Sequence, residues 1–215
     1  MRRLALAALF VTAAITAAPA TASGPVVRWD IVQLIGIPPS FDQGGFAVAY
    51  ASDDSAMTVT GTGTFVAPLP PAEPTAASSV AGGGSWEITD QLGFPIGSGT
   101  YEVTAVLAWV EGGAANLPPF IEDRIGDPAD ITEGLLHLAI SYDDGSSGVL
   151  VVSAVGGPGP APLPPAGFRG VTVSKDEIGF FLPGEPDPAN MLNFTLIHVT
   201  ETLGVSELGS ALRAR

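Results

Sequence analysis

From Gly134 to Val155 the chain reads GLLHLAISYDDGSSGVLVVSAV, two aliphatic and β-branched runs interrupted by the polar cluster Asp143-Asp144-Gly145-Ser146-Ser147-Gly148. That pattern predicts a β-hairpin. Val26 to Ile35 alternates as well, with Val27, Trp29 and Ile31 on one side and Arg28 and Asp30 on the other. It ends before Pro38 and Pro39, which cannot donate to a ladder. Phe46 to Ser52 and Ala56 to Val66 predict a second hairpin around Asp53-Asp54-Ser55, with Thr58, Thr60, Thr62 and Thr64 on a solvated face. Ser85 to Asp90 and Thr100 to Val110 are the next strands, separated by GFPIGSG. In the second of them Tyr101, Val103, Leu107 and Trp109 face one way and Val106, Ala108 and Val110 the other, which predicts a central strand covered on both faces in its second half. FRGVTVS, IGFFLP and MLNFTLIHVTE supply the last strands.

Between these runs lie connectors. Ala67 to Gly84 (APLPPAEPTAASSVAGGG) has no periodicity and reads as a loop or short linker, and GGPGPAPLPPAG and GEPDPAN read likewise. Glu111 to Glu133 is the longest polar connection, and a loop of that length without strands of its own is more often functional than a short one. Residues 203–215 form a tail that either makes a short amphipathic helix or frays. With 27 Gly and 20 Pro, no Pro-free, Gly-free window of good helix formers exceeds about one helical segment beyond the first residues, and a 46% hydrophobic, 14% charged composition speaks against disorder. The expectation is a single all-β domain over residues 23–202, an antiparallel β-sandwich of about nine strands.

APLPPA occurs at Ala67 and again at Ala161, 94 residues on, and each copy follows an Asp-Asp hairpin turn, Asp53 and Asp143 being 90 apart. An internal duplication in which residues 46–72 echo 135–166 accounts for both offsets, and so does convergence of Pro/Ala-rich connectors. The run TGTGTF followed by GGGSWEITD and GSGTYEVT resembles the dirigent and allene-oxide-cyclase-like barrels. The resemblance implies a β-barrel as the alternative fold and brings no functional residue with it.

The first residues carry an address. Arg2 and Arg3 precede the uncharged run Leu4 to Ala18, then Pro19, and Ala20-Thr21-Ala22 has the small-x-small pattern of a signal-peptidase site. Residues 1–22 are therefore expected to be a signal peptide, bacterial in style and cleaved near Ala22, which makes the protein secreted or extracytoplasmic. Its 15 uncharged residues fall short of the roughly 20 a membrane span needs, and no span is expected in the mature chain. Removing 22 residues from 215 leaves 193 and takes away two arginines and no carboxylate, so 6 Lys and Arg face 22 Asp and Glu, a balance of −16. Nucleic acid is excluded as a partner by that sign. There is no cysteine, hence neither a disulfide nor a lipoprotein anchor, and stability has to come from a core.

Most catalytic signatures are absent from the sequence. H-E-x-x-H, G-x-S-x-G, a P-loop before Lys175 and a dinucleotide fingerprint at Gly61-Thr62-Gly63 all fail. His137 and His198 are the two histidines, each in a predicted strand, and each reads most simply as satisfied locally. Were those strands neighbours, the two imidazoles could meet and, with a carboxylate of the acidic loop, bind a divalent metal or act as acid and base. Asp53, Asp54, Asp143, Asp144 and the loop residues Glu122, Asp123, Asp127 and Asp130 are oxygen donors of the kind calcium takes, although none follows the EF-hand spacing and Asp is at home in turns. Trp29, Trp86 and Trp109 could stack on a carbohydrate, but each sits in an apolar strand pattern that favours the core. Asn193-Phe194-Thr195 is a sequon inside a predicted strand, and Leu163-Pro164-Pro165-Ala166-Gly167 lacks the apolar segment and basic tail of a sortase signal.

The function expected from these readings is a secreted or envelope-associated, non-catalytic β module, binding or structural, whose partner is a protein or a carbohydrate. Two alternatives stand beside it. One is a small barrel or cleft enzyme, a hydrolase or isomerase using His137 or His198 with a carboxylate. The other is a calcium-stabilised adhesion module.

Overall fold

A computed structural model describes residues 24–67, 79–154, 169–184 and 193–200. The leader, both APLPPA connectors beyond Ala67, and the C-terminal tail lie outside the described residues. In chain order the strands are β1 Val26–Ile35, β2 Ser40–Gln43, β3 Ala47–Tyr50, β4 Ala56–Val59, β5 Thr62–Val66, β6 Val80–Thr89 and β7 Pro95–Ala114. There follow β8 Glu122–Asp123, β9 Thr132–Tyr142, β10 Ser147–Ala154, β11 Arg169–Lys175, β12 Ile178–Phe180, β13 Leu182–Pro183 and β14 Phe194–Thr200. A 3-10 turn at Pro128–Asp130 precedes β9. The protein is all-β. Six of the fourteen strands are four residues or shorter, so the eight longer ones approach the number the alternation predicts.

The strands form one connected sheet whose long path runs β12-β11-β10-β9-β7-β6-β5-β1-β2-β8, with β3, β4, β13 and β14 pairing off it. Every described pairing is antiparallel except β2 with β8. The sheet is not closed into a barrel, which corrects the barrel alternative. It folds over itself as a sandwich, with β14 lying against β9, β10 and β11, and β11 against β3. Between the layers Trp29, Phe65, Met57, Leu136, Leu138, Leu150 and Ile197 are fully buried, the inward half of each alternating strand. A smaller core of Val32, Phe41, Ile125, Ile131, Phe194 and Leu196 sits on the other face of β1 and β14.

Three sequence expectations are corrected here. Gly82 to Gly84 belong to β6 and are not a linker end, because this strand passes too close to its neighbours to carry side chains. A Cβ on Gly84 would lie 2.0 Å from the Thr60 carbonyl oxygen, and one on Gly83 would lie 2.3 Å from that of Tyr101. The second correction concerns β7. Its register against β9 shifts between Val103 and Ala105 and again between Val106 and Ala108, and each bulge flips the facing of the residues after it. Leu107 and Val110 thus emerge exposed on a strand read as covered on both faces. Third, Ala56 to Val66 is broken at Thr60-Gly61 into β4 and β5, which continue to different partners, β3 and β1.

The acidic connection is also shorter than predicted, since β7 continues to Ala114 and the segment carries β8 and the 3-10 turn. Its apolar residues Ile125 and Ile131 close the smaller core. This loop is a lid on the outer face of β1 and β14, held by Glu122 N to Pro39 O, Arg124 N to Phe41 O and Ala115 N to Ile131 O.

Candidate functional site

β1 and β14 pair with Arg28 opposite His198. Both side chains face the acidic lid. His198 Nε2 lies 2.7 Å from Asp123 Oδ2, with side-chain exposures of 4% and 0%. The other oxygen of Asp123 accepts from Ile125 N at 2.8 Å and Gly126 N at 3.4 Å. A carboxylate only accepts, so Nε2 is the donor of this bond and the ring is oriented by it. Nδ1 is buried and has no hydrogen-bond partner among the described residues. The lid approaches this closely because Gly126 abuts the ring: a Cβ there would be 2.8 Å from His198 Cδ2.

Beside the pair, Arg28 grips Asp30 bidentately, Nε to Oδ2 at 2.7 Å and Nη2 to Oδ1 at 3.0 Å, and its Nη1 donates to Ile125 O at 3.2 Å. Thr62 Oγ1 donates to Asp30 at 2.7 Å. The Asp30 carboxylate, and Asp123 more distantly, raise the Arg28 guanidinium above its ordinary pKa against a partial burial that pulls the other way. Sequence reasoning missed Arg28 and Asp30, which it placed on the polar side of an alternating strand. That side is covered by the lid, and an Arg-x-Asp pair in a strand otherwise flanked by apolar residues is the one available signal.

The structure brings His198 to a carboxylate of the acidic loop and leaves His137 elsewhere. His137 lies in β9 between Ala108 and Val151, half-buried, with no side-chain hydrogen bond among the described residues. The other acidic candidates are mostly engaged within their own turns. Asp53 Oδ1 accepts from Ser55 N and Oγ, which holds its pKa below the ordinary carboxylate range. Asp144 does the same with Ser146, and Lys175 bonds it at 2.5 Å, so its pKa is pushed lower still, chiefly by Lys175. The two hairpin turns share one bonding pattern, with Asp54 and Gly145 both left-handed at φ 64° and 87°. Asp127 caps the 3-10 turn through Ala129 N, Glu122 pairs with Arg124 at 3.0 Å, and Asp130 accepts from Thr200 Oγ1. Asp54 and Asp143 are exposed and make no side-chain hydrogen bond among the described residues. No three His, Asp or Glu side chains among the described residues converge as a metal set.

A second feature lies around Trp86. Lys175 Nζ stands 4.8 Å from the ring centroids of both Trp86 and Tyr142 and also bonds Ser146 Oγ. Trp86 and Tyr142 meet edge to face at 5.6 Å, and Tyr142 meets Tyr101 at 6.3 Å. Trp29 and Trp86 are buried and Trp109 packs on the core, so the three indoles do not form a sugar platform. Open hollows flank Trp86 and Ile88 on the outside, lined by residues of the Asp53, Asp90 and Asp176 turns.

The buried tyrosines make a pH prediction. Tyr101 donates to Thr60 O at 2.7 Å, and burial pushes its pKa far above 10.0, with Tyr142 adding to it. Tyr142 shifts the same way through burial, helped by Asp144 and Asp176. Below pH 10 both tyrosines are neutral, folded or unfolded. Above it the unfolded chain gives up protons that the folded one keeps, so stability falls by up to about 1.4 kcal/mol per pH unit for Tyr101. Urea unfolding followed from pH 9 to 11.5 should show that decline, shallower in Tyr101→Phe; a flat profile would refute the assignment.

The chain matches no protein-family model, no curated protein and no solved structure, so geometry alone carries the functional reading.

Proposed function

We propose that this protein is an exported, non-catalytic β module whose work is binding or structural. The observation that carries the reading is the burial of the His198–Asp123 pair: the one histidine held by a carboxylate among the described residues is sealed under the lid and spent on fastening it to β14. A general acid or base has to reach substrate, directly or through a water, and this one faces backbone. The hollows around Trp86 contain neither histidine. Export follows from the Arg-Arg, apolar and Ala-x-Ala pattern of residues 1–22.

A second reading has one observation in its favour. His198, oriented through Nε2 by Asp123 and with Nδ1 lacking a partner among the described residues, is half of an acid–base dyad, and a lid that opened would present it. A screen of ester, amide, glycoside and enolisable ketone substrates separates the two. No turnover is expected from the binding module. Turnover lost in a folded His198→Asn variant would establish the enzyme instead.

A further inference from the structure

The turns at Asp53-Asp54-Ser55, Asp90–Phe94 and Asp176-Glu177 are remote in sequence, and the pairings of β3, β4, β6, β7, β11 and β12 bring them to one end of the sandwich. Two hollows open there and share Ile88, Ile96 and Ile178. Ile88 and Phe180 are core residues forming the floor. Ile96 and Ile178, exposed at 66% and 54%, form the rim, and on the neighbouring turn Phe94 and Leu92 stand out at 64% and 74%. Single exposed apolar side chains are ordinary, but four large ones around a hollow that reaches the core mark an interaction surface.

The charge around that surface is predominantly negative. Asp53 and Asp90 line one hollow, and Asp144, Asp176 and Glu177 line the other. Against these five carboxylates stands Lys175, whose ammonium is already bonded to Asp144 and set over two aromatic rings. Arg28 and Arg124 are engaged at the lid. An apolar floor with an acidic rim is complementary to apolar side chains flanked by cations. We infer that this end of the sandwich docks a cationic polypeptide segment whose Lys or Arg residues alternate with Leu, Ile or Phe. The apolar side chains enter between Ile96 and Ile178, and the cations meet the acidic turns. The inference rests on the binding-module reading and names the class of partner.

Fluorescence anisotropy with a labelled peptide of alternating Lys and Leu tests it, with Lys/Ser and Glu/Leu peptides as controls. Binding to Lys/Leu is expected to exceed either control at least tenfold and to weaken as salt rises. The paired variant Ile96→Ser with Ile178→Ser should lose tenfold or more. Asp176→Asn with Glu177→Gln, which keeps one acceptor oxygen on each side chain while removing two charges, should lose several-fold along with part of the salt dependence. All four positions are exposed, so an unchanged melting temperature certifies the fold. Absence of Lys/Leu binding, equal binding of the controls, or variants that bind like the parent would overturn the inference. Those outcomes leave the non-catalytic reading intact, since it is turnover, dependent on His137 or His198, that removes it.

Discussion

Replacing Asp123 with alanine is expected to cost about 3–5 kcal/mol of folding stability, a fall in melting temperature of roughly 10 °C. The carboxylate is fully buried and does three things at once: it accepts from His198 Nε2, from Ile125 N and from Gly126 N. Alanine strands all three donors in a space closed by the lid. Asp123→Asn is the informative companion. Its amide oxygen still accepts from the two backbone groups, but its NH2 now faces Nε2, so the ring has to carry its proton on Nδ1, where no acceptor stands among the described residues. The asparagine variant should therefore fall between parent and alanine. Urea denaturation of the three proteins checks the order, and an alanine variant within about 0.5 kcal/mol of the parent would mean that the pair does not hold the lid.

The parts of this fold that a single alternating segment specifies were legible. β1 runs over Val26–Ile35 as its pattern predicts, and β9 and β10 flank an Asp-rich turn where the hairpin reading put one. His198 does share a face with Phe194 and Leu196, and both of those lie in the smaller core. What the pattern could not supply is pairing at long range. His198 meets Asp123 because β14 pairs with β1, β2 pairs with β1, and β8 adds to β2 in parallel, a chain of three neighbour relations that no local periodicity encodes. Asp30 could be placed only on the polar side of β1 for the same reason: alternation tells which residues share a side, not what will cover it. The bulges in β7 are the other limit. Nothing in TYEVTAVLAWV marks where an extra residue is accommodated, so Val106 and Leu107 were both expected to be covered, whereas Val106 is buried and Leu107 emerges.

The glycines of β6 show a different failure, and they yield the second large prediction. A Gly-Gly-Gly run after a Pro/Ala-rich stretch has the composition of a linker, yet here it forms ladder pairs with both β5 and β7. The cause lies outside the run. Trp29, fully buried on β1, spreads its indole over the backbone of Gly61, Gly63 and Gly82, so this part of the sheet has no room for side chains on the face the ring covers. Gly63 would place a Cβ 2.6 Å from Trp29 Nε1, and Gly84 one 2.0 Å from Thr60 O and 2.9 Å from Gly61 Cα. A tryptophan end can shift by rotamer. A carbonyl oxygen belonging to the paired backbone moves only if the break at Thr60-Gly61 moves, and Thr60 is tied there by its N–H to Ser85 O and by its carbonyl to the Tyr101 hydroxyl. Gly84→Ala is therefore expected to destabilise by about 3 kcal/mol, whereas Ala at Gly93 or Gly145, where nothing lies within 4 Å, meets only the local cost of a left-handed backbone, about 1 kcal/mol. Thermal unfolding of the three variants ranks them. If Gly84→Ala melts with the other two, the run is a tolerant linker after all and the close approach of the Thr60 backbone is not what fixes β6 in the sheet.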